Sequence, residues 1–513
     1  MSQLPDYVAS AKPNPSDNRA PWLTTTAAAY AGVMLWFAFW QEVPSGGQPV
    51  LGGVLSEGLG IAMFSVILAA LLCHFLFYYV PGMLGMKTGL SLTVVGTSTF
   101  GTKGGFIMPG FLMGALQFGW LSVNAFFAGF LLAGIAGAPS TLGDATTPME
   151  LSMTHQIISV AWILVATFVG MKGVRYVGMV ASFTPVLPII VLALLLVKTI
   201  GGVGGFNSEY MMAEENKKVS AATEKMATFT DPKTLSKEEL ADYKITKAIA
   251  EAKPVTLYGN GPLGVISLVC AYIIGFFATA GAAGVGFCSN NKDAKAVNYA
   301  GLVGIAFATC LTGIIALLVV AGAQQSLPAN LVTTYNVPSL FGAILGDGTA
   351  KICMLLLCIA AFPSACFPTL VAADAFKTTF PKINPMITCG IGVFVAIILS
   401  VTGLAGRAGD VFTVVGASFG PIVGAMVADY LLSGKKWAGP RDGFNLPGWV
   451  AWFFGFIVGG ATLVVTKFLG QPMPFEIPCP PLSAFIVGFV LYYALAKAGM
   501  ESKKIPMPQR IDE

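Results

Sequence analysis

Charge is what this sequence has least of. Of 513 residues only 11% are Asp, Glu, Lys or Arg, against 55% in the hydrophobic set; an ordinary soluble domain carries about 25% charged residues. The length would fit three or four soluble domains, but so few charges cannot hold that much apolar surface in water. Histidine is nearly missing too. His74 and His155 are the only two, and neither has Cys, Asp or Glu at metal-ligand spacing, so a metal centre or catalytic triad has no basis. No Gly-rich loop runs into Lys-Ser or Lys-Thr, so a nucleotide-driven pump lacks its phosphate cradle. The nine cysteines have no CxxC spacing and lie mostly in apolar runs, which makes them small core residues. The first 18 residues are polar and lack the apolar stretch of a cleaved signal peptide, so the first membrane helix is expected to do the targeting. A net charge of +4 with scattered Lys and Arg speaks against a nucleic-acid partner.

What the chain does have is Gly 60, Phe 36 and long uncharged runs. These suit close helix packing and a lipid-facing surface, with the bilayer as partner. A membrane span takes about 20 mostly apolar residues. By that measure there are twelve, near 22–41, 58–80, 104–136, 156–173, 176–199, 262–287, 298–323, 351–373, 386–405, 410–432, 447–467 and 481–498. The third run is uncharged from Gly104 to Gly143, which reads as a long tilted helix or a helix plus a re-entrant piece. Loops at 42–57, 137–154 and 324–350 contain no Lys or Arg, whereas Lys87, Lys103, Lys172, Arg175, Lys292, Lys295, Lys377, Lys382, Lys435, Lys436 and Arg441 fall in the alternate loops. That bias places both termini in the cytoplasm. Residues 207–256, with eight Lys and nine acidic residues, read as a solvated external loop.

Spans one to five (22–199) and six to ten (262–432) are similar in extent. Five is odd, so the second group is inverted relative to the first, as in secondary transporters that hold substrate at interrupted helices. The reading divides the chain into a tail (1–20), a first repeat (21–200), the external loop (201–260), a second repeat (261–433), two further spans (434–498) and a final tail (499–513). Span one carries Gly32 before the aromatic cluster Trp36, Phe37, Phe39 and Trp40, and span six runs through Gly275, Gly281 and Gly284. Both look breakable, although glycine serves helix packing equally well.

Mid-membrane chemistry must then come from neutral groups. Gln117 lies three residues before Trp120, so one helical turn puts amide and indole on one face. An amide both donates and accepts, which suits the edge of a planar heterocycle. On the residues alone, Gln117 serves equally as a hydrogen-bonded link between two helices.

Several motifs make the chain resemble nucleobase:cation symporter family one, the cytosine permease branch in particular. They are Gly85-Met86-Lys87-Thr88-Gly89-Leu90, Thr97 to Gly104, Pro109, Gln117-Phe118-Gly119-Trp120, Gly275-x-Phe277-x-Thr279-Ala280-Gly281, and Pro421 to Leu431 with Ala428-Asp429-Tyr430-Leu431. The resemblance implies an all-α membrane protein with a LeuT-like fold, a 5+5 inverted repeat plus two C-terminal helices. It implies import of a nucleobase or related small heterocycle together with Na+ or H+. By position, the substrate ring would stack between Trp36 and Trp120, with Gln117 and Thr279 at its edge and Phe277 closing the site. Sodium would be held by the carbonyls of Gly32 and Leu35 and by the hydroxyl of Ser364. Span eight departs from the branch: Ala360 stands where it has Asn, and Pro363-Ser364 where it has a hydroxyl pair. One base-edge amide and one hydroxyl are thereby lost. The alternatives are a transporter of hydantoin, allantoin or a thiamine-like compound, or a non-transporting receptor or accessory protein of the same fold. An enzyme is not expected, since no paired carboxylates or nucleophile–base set exist.

Overall fold

Uncharged runs of this length can satisfy their backbone inside a bilayer only as helices or closed barrels, and helices are what form. The computed structural model describes residues 4–36, 43–44, 54–140, 149–172, 181, 184–209, 220–229, 243, 246–247, 261–324, 337–380, 382–471, 473, 475 and 477–507. Among these residues there is no strand, only an isolated bridge between Arg441 and Lys504. Among the described residues ten helices are long and apolar enough to cross a membrane, and they coincide with ten of the twelve expected runs. The other two are the first, where Leu23–Ala27 continues into Ala28–Met34, and the ninth, Pro385–Val401, of 17 residues. This is a multi-pass membrane protein. Phe37, Phe39, Trp40 and Arg175 lie outside the described residues, as does most of 207–256.

Burial sorts the helices. In the sixth (Pro262–Ala282) and tenth (Ala408–Leu432), 78% of the most apolar stretch is inside the protein, and in the third (Phe106–Ile135) 72%. The eleventh (Leu446–Thr466), at 22%, and the fourth (Met153–Met171), at 28%, face outward. The sixth and tenth helices meet closely because small residues allow it. A Cβ on Gly275 would sit 2.9 Å from the backbone oxygen of Phe412, so glycine there lets the sixth helix press directly on the tenth.

In two runs the structure separates alternatives that the residues left open. The third run is a helix of 30 residues, without a re-entrant piece among the described residues. It is kinked near its start, where Met108 has φ −128° and ψ 118° before Pro109. The sixth helix runs unbroken through Gly275 and Gly281 to Ala282 and is interrupted only at Ala283, before a short helix Gly284–Cys288. Its glycines act in packing, because neighbouring backbones fill the space a side chain would take. The first helix does stop where expected: Leu35 leaves it at φ −90°, ψ 2°.

The Lys- and Arg-bearing loops gather at one end. Lys87 Nζ donates to the Lys435 carbonyl at 2.7 Å, and Lys103 N–H to the Gly443 carbonyl at 2.8 Å. Segments near both ends of the chain, at Arg19 and Ile505, dock there. Arg19 donates to the carbonyls of Met86 and Asn291, and Ile505 N–H to that of Pro440. Arg441, 1% exposed, pairs with Asp429 at 2.9 Å and with Glu501 at 2.6 Å, while Ser98 donates to the other Asp429 oxygen.

Replacing Gly275 with Val is expected to cost about 1–3 kcal/mol, the usual penalty of overpacking, because a backbone oxygen cannot yield as a side chain can. A thermal melt of the purified protein checks this, and an unchanged midpoint would show that the two helices are not pressed together at Gly275.

Candidate functional site

Four helices converge on one cavity. The first contributes Trp36, the third Gln117, Trp120 and Asn124, the sixth Phe276 and Thr279, and the eighth (Asp347–Thr379) Ser364. About 80 Å³ is open to the centres of water-sized bodies, several times the roughly 10–15 Å³ that one water needs. Among the described residues no ionisable side chain lines it. The further lining residues Ala283, Phe287, Phe367 and Val371 lie nearer the C-terminal ends of the sixth and eighth helices. The cavity therefore extends from mid-membrane toward the Lys- and Arg-rich end.

On the other side aromatic rings pack against one another. Trp120 lies on Phe412 with centroids 5.1 Å apart and planes 26° from parallel, and meets Phe276 edge-on at 4.8 Å. Phe412 in turn meets Tyr272 at 5.1 Å. Such packing supplies apolar contact with defined geometry. One face of the Trp120 indole is thus occupied by Phe412.

The polar groups are few, and their engagement differs. Trp120 Nε1–H donates to Thr279 Oγ1 at 3.0 Å, which fixes the indole and leaves the threonine proton free to donate. Gln117 Nε2 reaches only the Met113 sulfur, at 3.3 Å, and a thioether is a weak acceptor. The rest of that amide has no protein partner among the described residues and faces the cavity. Asn124 is held between Trp162, Ala361 and Ser364.

Of the expected substrate residues, Trp36, Gln117, Trp120 and Thr279 come together on this wall. Phe277 does not. It is fully buried, with its ring 5.9 Å from that of Tyr30. The reason is helical register: Phe276 and Thr279 are three apart and share a face, while Phe277 is turned about 100° away. Nor do Trp36 and Trp120 form a parallel slot, since their centroids are 6.5 Å apart and their planes 67° from parallel. A ring held between two others needs parallel faces about 7 Å apart, twice an ordinary contact distance.

Of the expected cation ligands, Ser364 lines the cavity, and Gly32 and Leu35 do not. The Trp36 N–H bonds to the Val33 carbonyl at 3.4 Å, so the Gly32 carbonyl loses the partner a continuing helix would give it. Asn124 was not anticipated from the sequence. A signal for it existed, because Gln117, Trp120 and Asn124 follow the i, i+3, i+7 spacing of one helix face.

The arrangement of these helices is the LeuT-like fold. In solved structures it is shared with Mhp1, described as a nucleobase-cation-symport-1 family transporter, in a closed conformation with bromovinylhydantoin bound. There the TM-score is 0.59 at 14% identity, covering 96% of this chain and 95% of that one. An inward-facing Mhp1 structure gives 0.57 at 14% identity, covering 96% and 92%. A substrate-bound, outward-open Na+-coupled sialic acid symporter gives 0.53 at 12% identity, covering 98% and 93%. The chain matches no protein-family model and no curated protein sequence.

Replacing Thr279 with Val, nearly the same shape, should leave the Trp120 N–H unpaired and lower stability by about 0.6–2 kcal/mol. The shift is read in a thermal melt; no shift would mean that the indole is fixed by its ring contacts alone.

Proposed function

We propose that the protein is a cation-coupled secondary transporter of the inner or plasma membrane, a symporter that imports a nucleobase or related small neutral heterocycle by alternating access. The observation that carries this reading is the Gln117 amide, open to an uncharged, aromatic-walled cavity midway along the helices. A charged substrate would meet no counter-charge among the described residues of its lining, and burying an unpaired charge is costly. A flat neutral molecule meets indole and phenyl surfaces, an amide that donates and accepts, and a threonine proton. The Lys- and Arg-rich end carries both termini and, by charge bias, faces the cytoplasm. Two proteins that share the fold are described as symporters, one with a hydantoin bound, which makes transport the first activity to test.

Coupling requires each ligand to favour one state over the other, since equal affinity for both shifts nothing. Ser364 is the cavity's hydroxyl on the eighth helix and offers a side-chain oxygen to a coupling ion. A hard cation such as Na+ takes oxygen ligands.

Counterflow in proteoliposomes, against nucleobases, hydantoins, allantoin and thiamine-like compounds with sodium and pH varied, is expected to show exchange of at least one heterocycle. Gln117→Ala should abolish that exchange while the protein still folds. Exchange that survives would remove Gln117 from the site, and a folded wild type inert to every compound would favour a receptor or accessory role. Ser364→Ala should flatten the sodium dependence of uptake. A sodium response of unchanged size would place the ion elsewhere.

A further inference from the structure

Trp162 lies on the fourth helix, outside the cavity lining, yet it governs one of the cavity's polar groups. Its Nε1–H donates to Asn124 Oδ1 at 3.0 Å. An indole N–H can only donate, so it settles which end of the Asn124 amide is oxygen, a choice that the shape of the group leaves open. The NH2 end must then face the eighth helix, where Nδ2 donates to the Ala361 carbonyl at 3.2 Å and to Ser364 Oγ at 3.0 Å. Ser364 Oγ in turn donates to the Ala361 carbonyl at 2.8 Å.

Asn124 is 3% exposed and both N–H groups of its amide are spent on the eighth helix, so it borders the cavity with no N–H left to donate to it. Ser364 has its proton held by Ala361 and one lone pair by Asn124, which leaves a lone pair for the cavity. Pro368, also on the cavity wall, adds to this. It has no N–H to give the Ser364 backbone carbonyl four residues earlier, so that oxygen lacks its helical donor.

We infer that Trp162 and Asn124 are positioning residues that hold Ser364 as an acceptor, so that the eighth-helix wall takes a hydrogen-bond donor or positive group and rejects an acceptor. This rests on the heterocycle-site reading and deepens it. The cavity's other polar groups, the Thr279 proton and Gln117, take the ligand's acceptor. A ring bearing N–H on one edge and C=O on the other fits both. The donor at Ser364 comes from one of two sources, the ring's own N–H or a monovalent cation.

The test uses the full-length purified protein, with uracil and hydantoin and their singly N-methylated derivatives as probes, in sodium and in choline buffer. In the wild type, methylation of one ring nitrogen should weaken binding by about tenfold, the worth of roughly one lost hydrogen bond, if the N–H is the donor. Loss of binding in choline instead identifies the cation. Asn124→Leu should cut whichever discrimination is found to within about twofold, and Trp162→Phe, remote from the ligand, should reduce it in the same direction. A purely structural role would lower the melting temperature and leave the ratio unchanged. Ratios at the wild-type value in both folded variants overturn the inference and leave the heterocycle site standing. A wild type that binds none of the probes overturns both. Trp162→Phe keeps the test open should Asn124→Leu fail to fold.

Discussion

A polar atom halfway through a bilayer has no water to bond to, so either the protein or a ligand must pair it. This constraint decides the architecture, because it forces the backbone into helices. It then sorts the side chains. His155 has both ring nitrogens engaged, with Ser140 at 3.0 Å and the Phe126 carbonyl at 2.9 Å. Arg441 is matched by two carboxylates, and Asn124 by three partners. The Gln117 amide has only a sulfur, and unlike the hydroxyls of Thr369 and Ser400, unpaired among the described residues, it lies on the cavity wall. An amide kept underpaired in such a medium costs stability, which is understandable where its partner arrives from outside.

The same constraint explains why some of the molecule was legible in the sequence. A span must exclude charge over a fixed length, and ten of the twelve uncharged runs are full-length helices. Loop charges followed the same logic, and the loops bearing Lys87, Lys103 and Lys435 do meet at one end. Glycine was less informative, since it reports closeness without saying whether the neighbour is a bend or another helix. At Gly275 the neighbour is the Phe412 backbone, and the sixth helix passes straight through. Register was the other weak point. With Phe276 and Phe277 adjacent, a sequence does not say which ring turns inward until the partners on each side are known. Asn124 was hidden for a similar reason, since its role depends on Trp162 and Ala361, 38 and 237 residues away along the chain.

The relation between Trp36 and Trp120 bears on how the proposed cycle would couple its two ligands. At 67° and 6.5 Å these rings leave no parallel gap, and Trp120 is already covered on one side by Phe412 and tethered to Thr279. The third and sixth helices therefore hold Trp120 as a fixed wall. Trp36 lies just past the end of the first helix at Met34, buried and stacked on Phe276 at 6.3 Å and 24°. A flat ligand gains stacking from both indoles only if the Trp36 segment turns relative to the third helix, so its affinity depends on the position of the first helix. That segment also contains Gly32, whose carbonyl has been released by the helix end. An oxygen-seeking cation drawn to Gly32 and Ser364 would bias the same segment. Both ligands would then act on one movable element against one rigid wall, and that shared lever, rather than any contact between them, is what would make the binding of each depend on the other.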